Sequence, residues 1–325
     1  RSIWVTGVQT CALPIYAADF GTSTPNPRNS ASPIQSCAPE ELAIHEIQGN
    51  GSTSPFADEL VATTGIVTAR KSNGFFLQTP ADAADADPAT SQGIFVFTSS
   101  APPAAAAVGN AVRVFGFVQE FVPGADVQSP PITEIAGPPV VTLLSTGNPL
   151  PDAIVITAAD TNPAGTIEQL ERLEGMRVHV ASLTVVAPTQ GSISEPNASS
   201  ITNGVFYGVI TGVARPFREP GIEVPDALPA GAPCCVPRFD ANPERLRVDS
   251  DGQIGAAAID VATGMVVAGL TGPLDYSFRT YTILPDPPPS PAPTVTGNAA
   301  ASAVPQPAAD EFTVASFNKI GRAHV

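Results

Sequence analysis

The stretch Ala-Val-Arg-Val-Phe-Gly-Phe-Val-Gln-Glu-Phe at residues 111–121 decides the fold class, because apolar and polar side chains largely alternate along it. A period of two residues is the pattern of a β-strand with one buried face. Upstream lie shorter runs that are rich in β-branched and aromatic residues and are bounded by Gly, Pro, Asn and Asp. We predict strands at Leu42–Gln48, Leu60–Ala69, Gly74–Thr79 and Gly93–Thr98.

No amphipathic helix separates these predicted strands. Short strands at regular spacing, with turn residues between them, favour an all-β fold that is either a small barrel or a sandwich. We therefore expect residues 41–146 to form one β module.

A second, mostly antiparallel β module is predicted for residues 147–284. It begins with one short helix: Thr166 and Gln169 have the spacing of a capping box, and Gly175 would end the helix. The polar stretch Thr189–Thr202 is typical of a loop. Strands are expected at Met176–Val186, Gly204–Ala214, Arg245–Asp249, Met265–Leu270 and Tyr276–Leu284.

Segments rich in Pro and small residues flank the two modules. Residues 16–40 show no periodicity and are predicted to be a linker. Residues 285–309 are dense in Pro and Ala, which favours an extended, semi-rigid linker. An apolar strand pattern starts again in residues 310–319, so we expect a further domain to begin there.

The two ends of the chain do not resemble natural protein sequence. Residues 5–15 back-translate to a sequence that looks like a sequencing-library adapter, and residues 320–325 to the same adapter on the opposite strand. We therefore expect residues 1–15 and 320–325 to be foreign to the fold. The alternative for the start is a signal peptide, but the basic segment and clean apolar core of such a peptide are missing.

The chain is acidic, with 15 basic and 30 acidic residues. Without the two ends, 13 basic residues remain and the net charge becomes −17. Such a charge argues against tight non-specific binding to nucleic acid, because phosphate contacts need Lys and Arg. Charged residues make up only 14%, below the usual ~25%. No apolar run is long enough to span a membrane.

Three cysteines remain once the ends are removed: Cys37, Cys234 and Cys235. An odd number cannot pair fully within the chain. A disulfide from Cys37 to either of the others fits an oxidising compartment. Structural or unpaired cysteines are favoured over a metal site, because no Cys-x-x-Cys pair or nearby His accompanies them.

Several motifs together resemble a known family. They are His45-Glu46-Ile47-Gln48-Gly49, Thr64-Gly65-Ile66-Val67-Thr68, Gly74-Phe75-Phe76-Leu77-Gln78 and Phe312-Thr313-Val314-Ala315-Ser316-Phe317-Asn318. Leu173–Met176 and Gly272–Phe278 add to the likeness. The chain is similar to large secreted bacterial nucleases in which an OB-fold-like region precedes an endonuclease/exonuclease/phosphatase (DNase I-like) domain. The resemblance covers roughly residues 42–318.

This resemblance implies an OB-like barrel for residues 41–146 and a secreted, extracellular protein. In the family, the first strand of the catalytic domain ends in an Asn beside the metal, and Asn318 matches that position. The divalent metal, Mg²⁺ or Ca²⁺, and its other ligands would belong to a catalytic domain that follows Asn318. Phosphodiester hydrolysis needs such a cation and a base, so we expect the chain itself to be inactive and its β modules to position substrate or support the catalytic domain.

Arg70, Lys71, Phe75 and Phe76 form a candidate nucleic-acid patch. OB folds bind single strands by stacking bases on aromatic rings beside basic grooves. Alternation places Phe75 and Phe76 on opposite faces of their strand, so at least one ring is expected in the core, and a structural role for both is favoured. Any binding of nucleic acid is expected to be weak.

The other candidates are His and Asp residues. His45 and Glu46, as neighbours in a predicted strand, would point to opposite faces and so could not act as an acid–base pair. His179 lies in an alternating strand and is interpreted as structural. Asp82, Asp85 and Asp87 share a loop, for which a solvated acidic loop is favoured over a Ca²⁺ site. A different class of function stays open: adhesion or scaffold modules of a secreted surface protein or of another phosphoesterase.

Overall fold

The structure is a computed structural model, which describes residues 40–216, 223–233, 235–236, 238–297, 306–308, 310 and 312. The all-β prediction is confirmed: strands dominate, and the one α-helix of the described part, α1 (Ile44–Gln48), is five residues long. Short 3₁₀ turns lie at Ala104–Ala106, Glu171–Leu173 and Glu195–Asn197. The OB-like assignment of the first module is also confirmed, because its strands close into a barrel rather than a sandwich.

Five strands form the first barrel: β2 (Leu60–Lys71), β3 (Gly74–Gln78), β4 (Gly93–Phe97), β5 (Ala111–Phe121) and β6 (Ile132–Ser145). Their order around the barrel is β2-β3-β4-β6-β5, and β5 returns to pair with β2. The β4–β6 pair is parallel and the other four pairs are antiparallel. This is the five-stranded Greek-key order of an OB fold. A two-residue strand, β1 (Glu40–Glu41), pairs in parallel with β2.

The second module is a barrel of the same topology. Its strands are β8 (Arg177–Ala187), β11 (Val205–Ile210), β12 (Leu246–Asp249), β13 (Val266–Ser277) and β14 (Thr280–Ile283). They run in the order β8-β11-β12-β14-β13, and β13 closes onto β8, with β12–β14 as the parallel pair. A two-residue strand, β7 (Ile154–Val155), again precedes the barrel and pairs in parallel with its first strand. The chain therefore repeats one architecture twice.

Two additions distinguish the second barrel. The connection between β8 and β11 forms an exposed hairpin, β9 (Gly191–Ser194) and β10 (Ser199–Thr202), where the sequence had predicted a loop. Strand β15 (Thr294–Thr296) pairs with β13 inside the stretch predicted to be a linker. Pro density does not prevent this pairing, because Thr294-Val295-Thr296 itself contains no Pro and joins the sheet at its edge.

The predicted strand Leu42–Gln48 was wrong, because residues 44–48 form helix α1. Ile44, Ile47 and Gln48 are all buried, and their spacing of three and four residues lies on one helical face. Glu46 stabilises the start of the helix, since its Oε2 accepts a hydrogen bond from the backbone N–H of Ala43 at 2.7 Å.

The helix predicted after Thr166 is reduced to the 3₁₀ turn Glu171–Leu173. The side chain of Gln169 does not cap a helix; its Nε2 instead donates to carbonyls of the preceding turn and to Asn242 Oδ1. Gly175 ends the segment as expected, with a positive φ of 72°.

Strand β6 was not predicted, because Gly137-Pro138-Pro139 interrupts it. The register with β5 jumps at this point, from the pair Phe117–Ala136 to the pair Phe115–Val140. A bulge here accommodates the two prolines, which have no N–H group to donate to the neighbouring strand.

Candidate ligand site between the barrels

The outer face of β3 and β4 is buried under the second barrel. Phe76 and Phe95 pack against each other there, with ring centroids 5.0 Å apart and ring planes tilted by 52°. Together with Ala69 they belong to the same apolar cluster as Leu173, Met176 and Leu274 of the second module. In an OB fold this face, formed by the second and third strands, is the usual surface for oligonucleotides and oligosaccharides. Here the same face forms the interface between the two barrels of the chain.

The backbones of the two barrels touch at two glycines. A side chain added to Gly93 of β4 would overlap the backbone of Gly175 and Met176. Gly175 is equally close to β4, since an added Cβ would lie 2.7 Å from the nitrogen of Ile94. Hydrogen bonds fix the approach: the Ser91 hydroxyl donates to the Glu174 carbonyl at 2.6 Å, and Gln78 Oε1 accepts from the Arg177 N–H at 2.8 Å.

Carboxyl groups concentrate in this interface. Burial raises the pKa of Glu134 to about 7, although Lys71 opposes the shift. Burial also raises the pKa of Glu171 to about 7, against a hydrogen bond that its Oε2 accepts from the Tyr281 hydroxyl at 2.9 Å. Glu174 is fully buried, and this raises its pKa well above the usual value. Its Oε1 accepts a hydrogen bond from the Thr133 N–H at 3.2 Å. The interface therefore holds protonated carboxyl groups near neutral pH.

The four residues of the predicted nucleic-acid patch do not form an exposed surface. Phe75 points into the first barrel and Phe76 into the interface, and both are fully buried. The alternation expected for these rings is correct, but neither ring has a face open to a base. Lys71 Nζ lies 2.8 Å from Asp275 Oδ2 and 5.0 Å from the centre of the Phe95 ring. Arg70 donates from Nη2 to the carbonyl of Pro102 at 3.0 Å.

The remaining candidates do not belong to the apolar cluster at the interface. His45 is in helix α1, not in a strand, and its Nε2 lies 3.8 Å from Asp85 Oδ2. Asp85 also accepts a hydrogen bond from Gln92 Nε2 at 2.6 Å, and Asp87 Oδ1 accepts from the N–H of Ala89 at 2.9 Å. His179 Nδ1 lies 2.7 Å from Thr271 Oγ1 on the neighbouring strand.

Among the residues that the structure describes, no group of three or more His, Cys, Asp or Glu side chains is placed to hold a metal ion. Asn318, Cys37 and Cys234 lie outside the described residues, as do both predicted foreign ends. In the described part, no helix is long and apolar enough to cross a membrane.

A cleft of about 460 Å³ opens beside the interface. Asn73, in the loop between β2 and β3, lies on one side of it, and the loop between β5 and β6 forms another wall. The hairpin that joins β13 to β14 closes it from the second barrel. The lining is mostly apolar and contains few polar groups. The lining residues are Asn73, Phe121, Pro123, Ala125, Asp126, Ser129, Pro130, Ile132, Tyr276, Ser277 and Phe278.

The hairpin tip that borders the cleft has an unusual backbone. Phe278 and Arg279 form a two-residue turn with φ values of 53° and 56°. Such turns favour Asn and Gly, and a bulky residue with positive φ is uncommon. Three carboxylates hold the Arg279 guanidinium: those of Asp126, Asp226 and Glu223. The contact with Asp126 crosses to the first barrel, and the other two fix the tip within the second barrel.

Phe278 is 78% exposed, although the Arg247 guanidinium lies 5.1 Å from the centre of its ring. Phe121, which lines the same cleft from the end of β5, is 40% exposed. Sequence reasoning missed both residues. Ser-Phe-Arg-Thr carries no turn signal, so residues 276–284 were interpreted as one continuous strand. The local sequence gives no sign of the turn.

Comparison with known families places one match on the second barrel. Residues 152–295 match a family described as a domain of unknown function (DUF8508). The match begins just before β7 and ends within β15, so it spans the whole second barrel with its edge strands. No curated protein matches the chain.

Proposed function

We propose that the two barrels are a non-catalytic support that stabilises and orients the catalytic domain of a secreted, metal-dependent nuclease. The covered face of β3 and β4 carries this proposal. A barrel that binds a nucleic-acid strand on that face needs it exposed, whereas here Phe76 and Phe95 are buried against the second barrel.

The charges around the cleft also favour support over strand binding. Lys71, Arg247 and Arg279 each lie within 4 Å of a carboxylate oxygen. A phosphate backbone would have to compete with Asp275, Asp249 and Glu223 for these cations. The acidic net charge of −15 adds to the repulsion.

The nuclease part of the proposal rests on the resemblance of the Phe312–Asn318 motif and of the two barrels' motifs to that family. Mg²⁺ or Ca²⁺ would be held by a domain after Asn318. The proposed partner of the barrels is therefore that domain, in the same polypeptide.

The test compares a protein that continues through the catalytic domain with a version that lacks residues 40–297. Cleavage of single- and double-stranded DNA and RNA is measured with Mg²⁺, Mn²⁺ or Ca²⁺, together with the thermal midpoint of the catalytic domain. We expect the deletion to lower the thermal midpoint and to leave KM for DNA within about threefold, since substrate binding lies elsewhere. A large rise in KM with an unchanged midpoint would show instead that the barrels bind substrate. No cleavage by the longer protein would remove the nuclease proposal.

A second function is favoured by one observation, the exposed aromatic cleft. Adhesion modules of a secreted surface protein need a ligand site of their own. Because the cations near the cleft are paired with carboxylates, the cleft suits an uncharged ligand. Failure of the longer protein to cleave nucleic acid, combined with ligand binding at the cleft, would support this alternative.

A further inference from the structure

We propose that the cleft between the barrels binds a neutral saccharide, which packs against the rings of Phe278 and Phe121. Phe278 lies at the tip of the hairpin that joins β13 to β14, and Phe121 is the last residue of β5. Apolar side chains of this size normally enter a core, yet Phe278 is 78% exposed and Phe121 is 40% exposed. Both rings border the same cleft, one from each barrel.

The position of Phe278 is maintained at a conformational cost. A positive φ at a bulky residue is strained and persists only when surrounding contacts impose it. Arg279 supplies those contacts: its Nε donates to Asp126 Oδ2 at 2.6 Å, and its Nη2 lies 2.7 Å from Asp226 Oδ1. The underlying Arg247 also supports the ring. Strain that holds an apolar ring in solvent points to a role for that ring in binding.

The size and lining of the cleft suit a small ligand. Ligand pockets are typically about 300–1,000 Å³, mainly apolar, with a few polar groups that fix orientation, and this cleft has about 460 Å³. The side-chain amide of Asn73 makes no hydrogen bond to the residues that the structure describes, so it can both donate and accept. Asp126 and Ser277 provide further oxygen atoms at the wall.

The electrostatics select a neutral ligand. Asp126 lies in the wall, and a hydrogen bond from Arg279 lowers its pKa, so it is ionised near neutral pH. An anionic ligand would meet this carboxylate, whereas a cationic ligand would have to displace Arg279 from it. The other nearby cations are also paired with carboxylates. A sugar ring carries no charge, offers a C–H face to an aromatic ring and presents hydroxyls at its rim to amide and carboxylate groups.

The geometry also limits the length of the ligand. The strand face that would extend the site along the first barrel is buried under the second barrel. The cleft therefore accommodates one or two rings at the end of a chain rather than a long strand that crosses the barrel.

The test is isothermal titration of the whole chain with neutral tetrasaccharides of glucose, N-acetylglucosamine, galactose and mannose, and with tetrathymidylate as the nucleic-acid probe. We expect at least one saccharide to bind and tetrathymidylate not to bind, at concentrations up to about 10 mM, roughly ten times a millimolar Kd. Phe278→Ala is expected to weaken saccharide binding by about tenfold or more. Asn73→Ala, which removes a polar group and not a ring, is expected to weaken it by several-fold.

The matched control is Ile193→Ala, because Ile193 is 70% exposed on the same barrel but does not line the cleft. It should leave the affinity within about twofold. Circular dichroism of each variant checks that the fold is intact. The proposal is overturned if none of the saccharides binds, if the Phe278 and Ile193 variants bind equally well, or if tetrathymidylate binds more tightly than every saccharide.

Discussion

The Lys71 ammonium and the Asp275 carboxylate lie 2.8 Å apart, and this ion pair joins the first barrel to the second. Asp275 is 3% exposed, and Glu134 lies close enough for its pKa to respond to both charges. Lys71 thus offsets two buried carboxyl groups, those of Asp275 and Glu134. The interface between the barrels depends on it, because a buried charge without a partner is strongly unfavourable.

Replacing Lys71 should therefore destabilise the chain. We expect Lys71→Ala to lower the free energy of unfolding by about 3–5 kcal/mol, since it leaves Asp275 buried and unpaired. Urea denaturation followed by circular dichroism gives the value. The double variant Lys71→Ala/Asp275→Asn should recover part of the loss.

The control for Lys71 is the exposed ion pair of Arg113 and Glu41, which lie 2.8 Å apart at the surface. Exposed pairs contribute about 0–1 kcal/mol, so Arg113→Ala should have a small effect. If the Lys71 and Arg113 variants lose equal free energy of unfolding, the inter-barrel ion pair contributes no more to stability than the surface pair.

The close approach of the barrels predicts a severe effect of a single methyl group. Gly93→Ala places a Cβ against the backbone of Gly175, which cannot retreat as a side chain can. We expect the barrels to separate, with a fall in thermal stability and new protease cleavage between residues 146 and 153. Gly51→Ala is the matched control, because no atom lies within 4 Å of the added carbon. If both variants have the thermal midpoint and the protease cleavage pattern of the parent chain, the two barrels do not pack as described.

The buried carboxyl groups predict that stability falls as pH rises through neutrality. Glu134 and Glu171 have folded-state pKa values of about 7 against an ordinary 4.5. Between these pH values the folded state therefore binds more protons than the unfolded state. The stabilising contribution of the two protonated carboxyl groups to the free energy of unfolding is complete below about pH 4.5 and is lost by about pH 8. For Glu134 alone, a shift of this size corresponds to about 3 kcal/mol.

Thermal midpoints measured between pH 5 and pH 8 test this dependence. We expect the midpoint to be higher at pH 5, and Glu134→Gln to flatten the decline because the amide cannot ionise. Glu195→Gln, at an exposed position of the β9–β10 hairpin, should leave the slope unchanged. A midpoint that rises from pH 5 to pH 8 would show that Glu134 and Glu171 do not have raised pKa values in the folded chain.

Much of the fold was predictable because strand signals are local. Alternation along residues 111–121 gave β5 with its observed ends, and runs rich in Phe and Val gave β3 and β4. The duplication also leaves a trace in the sequence: Asn73-Gly74-Phe75-Phe76 and Asn203-Gly204-Val205-Phe206 open the second strand of each barrel. The repeat was missed because the intervening loops differ in length.

The candidate site was not predictable, because tertiary contacts create it. Alternation shows that Phe75 and Phe76 face opposite sides, but it does not show that a second barrel covers Phe76. The positive φ of Phe278 arises from contacts of Arg279 with distant carboxylates, which no local pattern reveals. Helix α1 was mistaken for a strand because five residues carry too little periodicity to separate the two.

A cleavage assay on this chain tests the proposal that the barrels support catalysis without performing it. Purified chain is incubated with single- and double-stranded DNA and RNA in the presence of Mg²⁺, Mn²⁺ or Ca²⁺, and the products are resolved on denaturing gels. We expect no cleavage, because the proposal places the metal and its ligands in a domain that follows Asn318. Metal-dependent cleavage that persists after repurification and in an Asn318→Ala variant would contradict it and place an active site within the barrels.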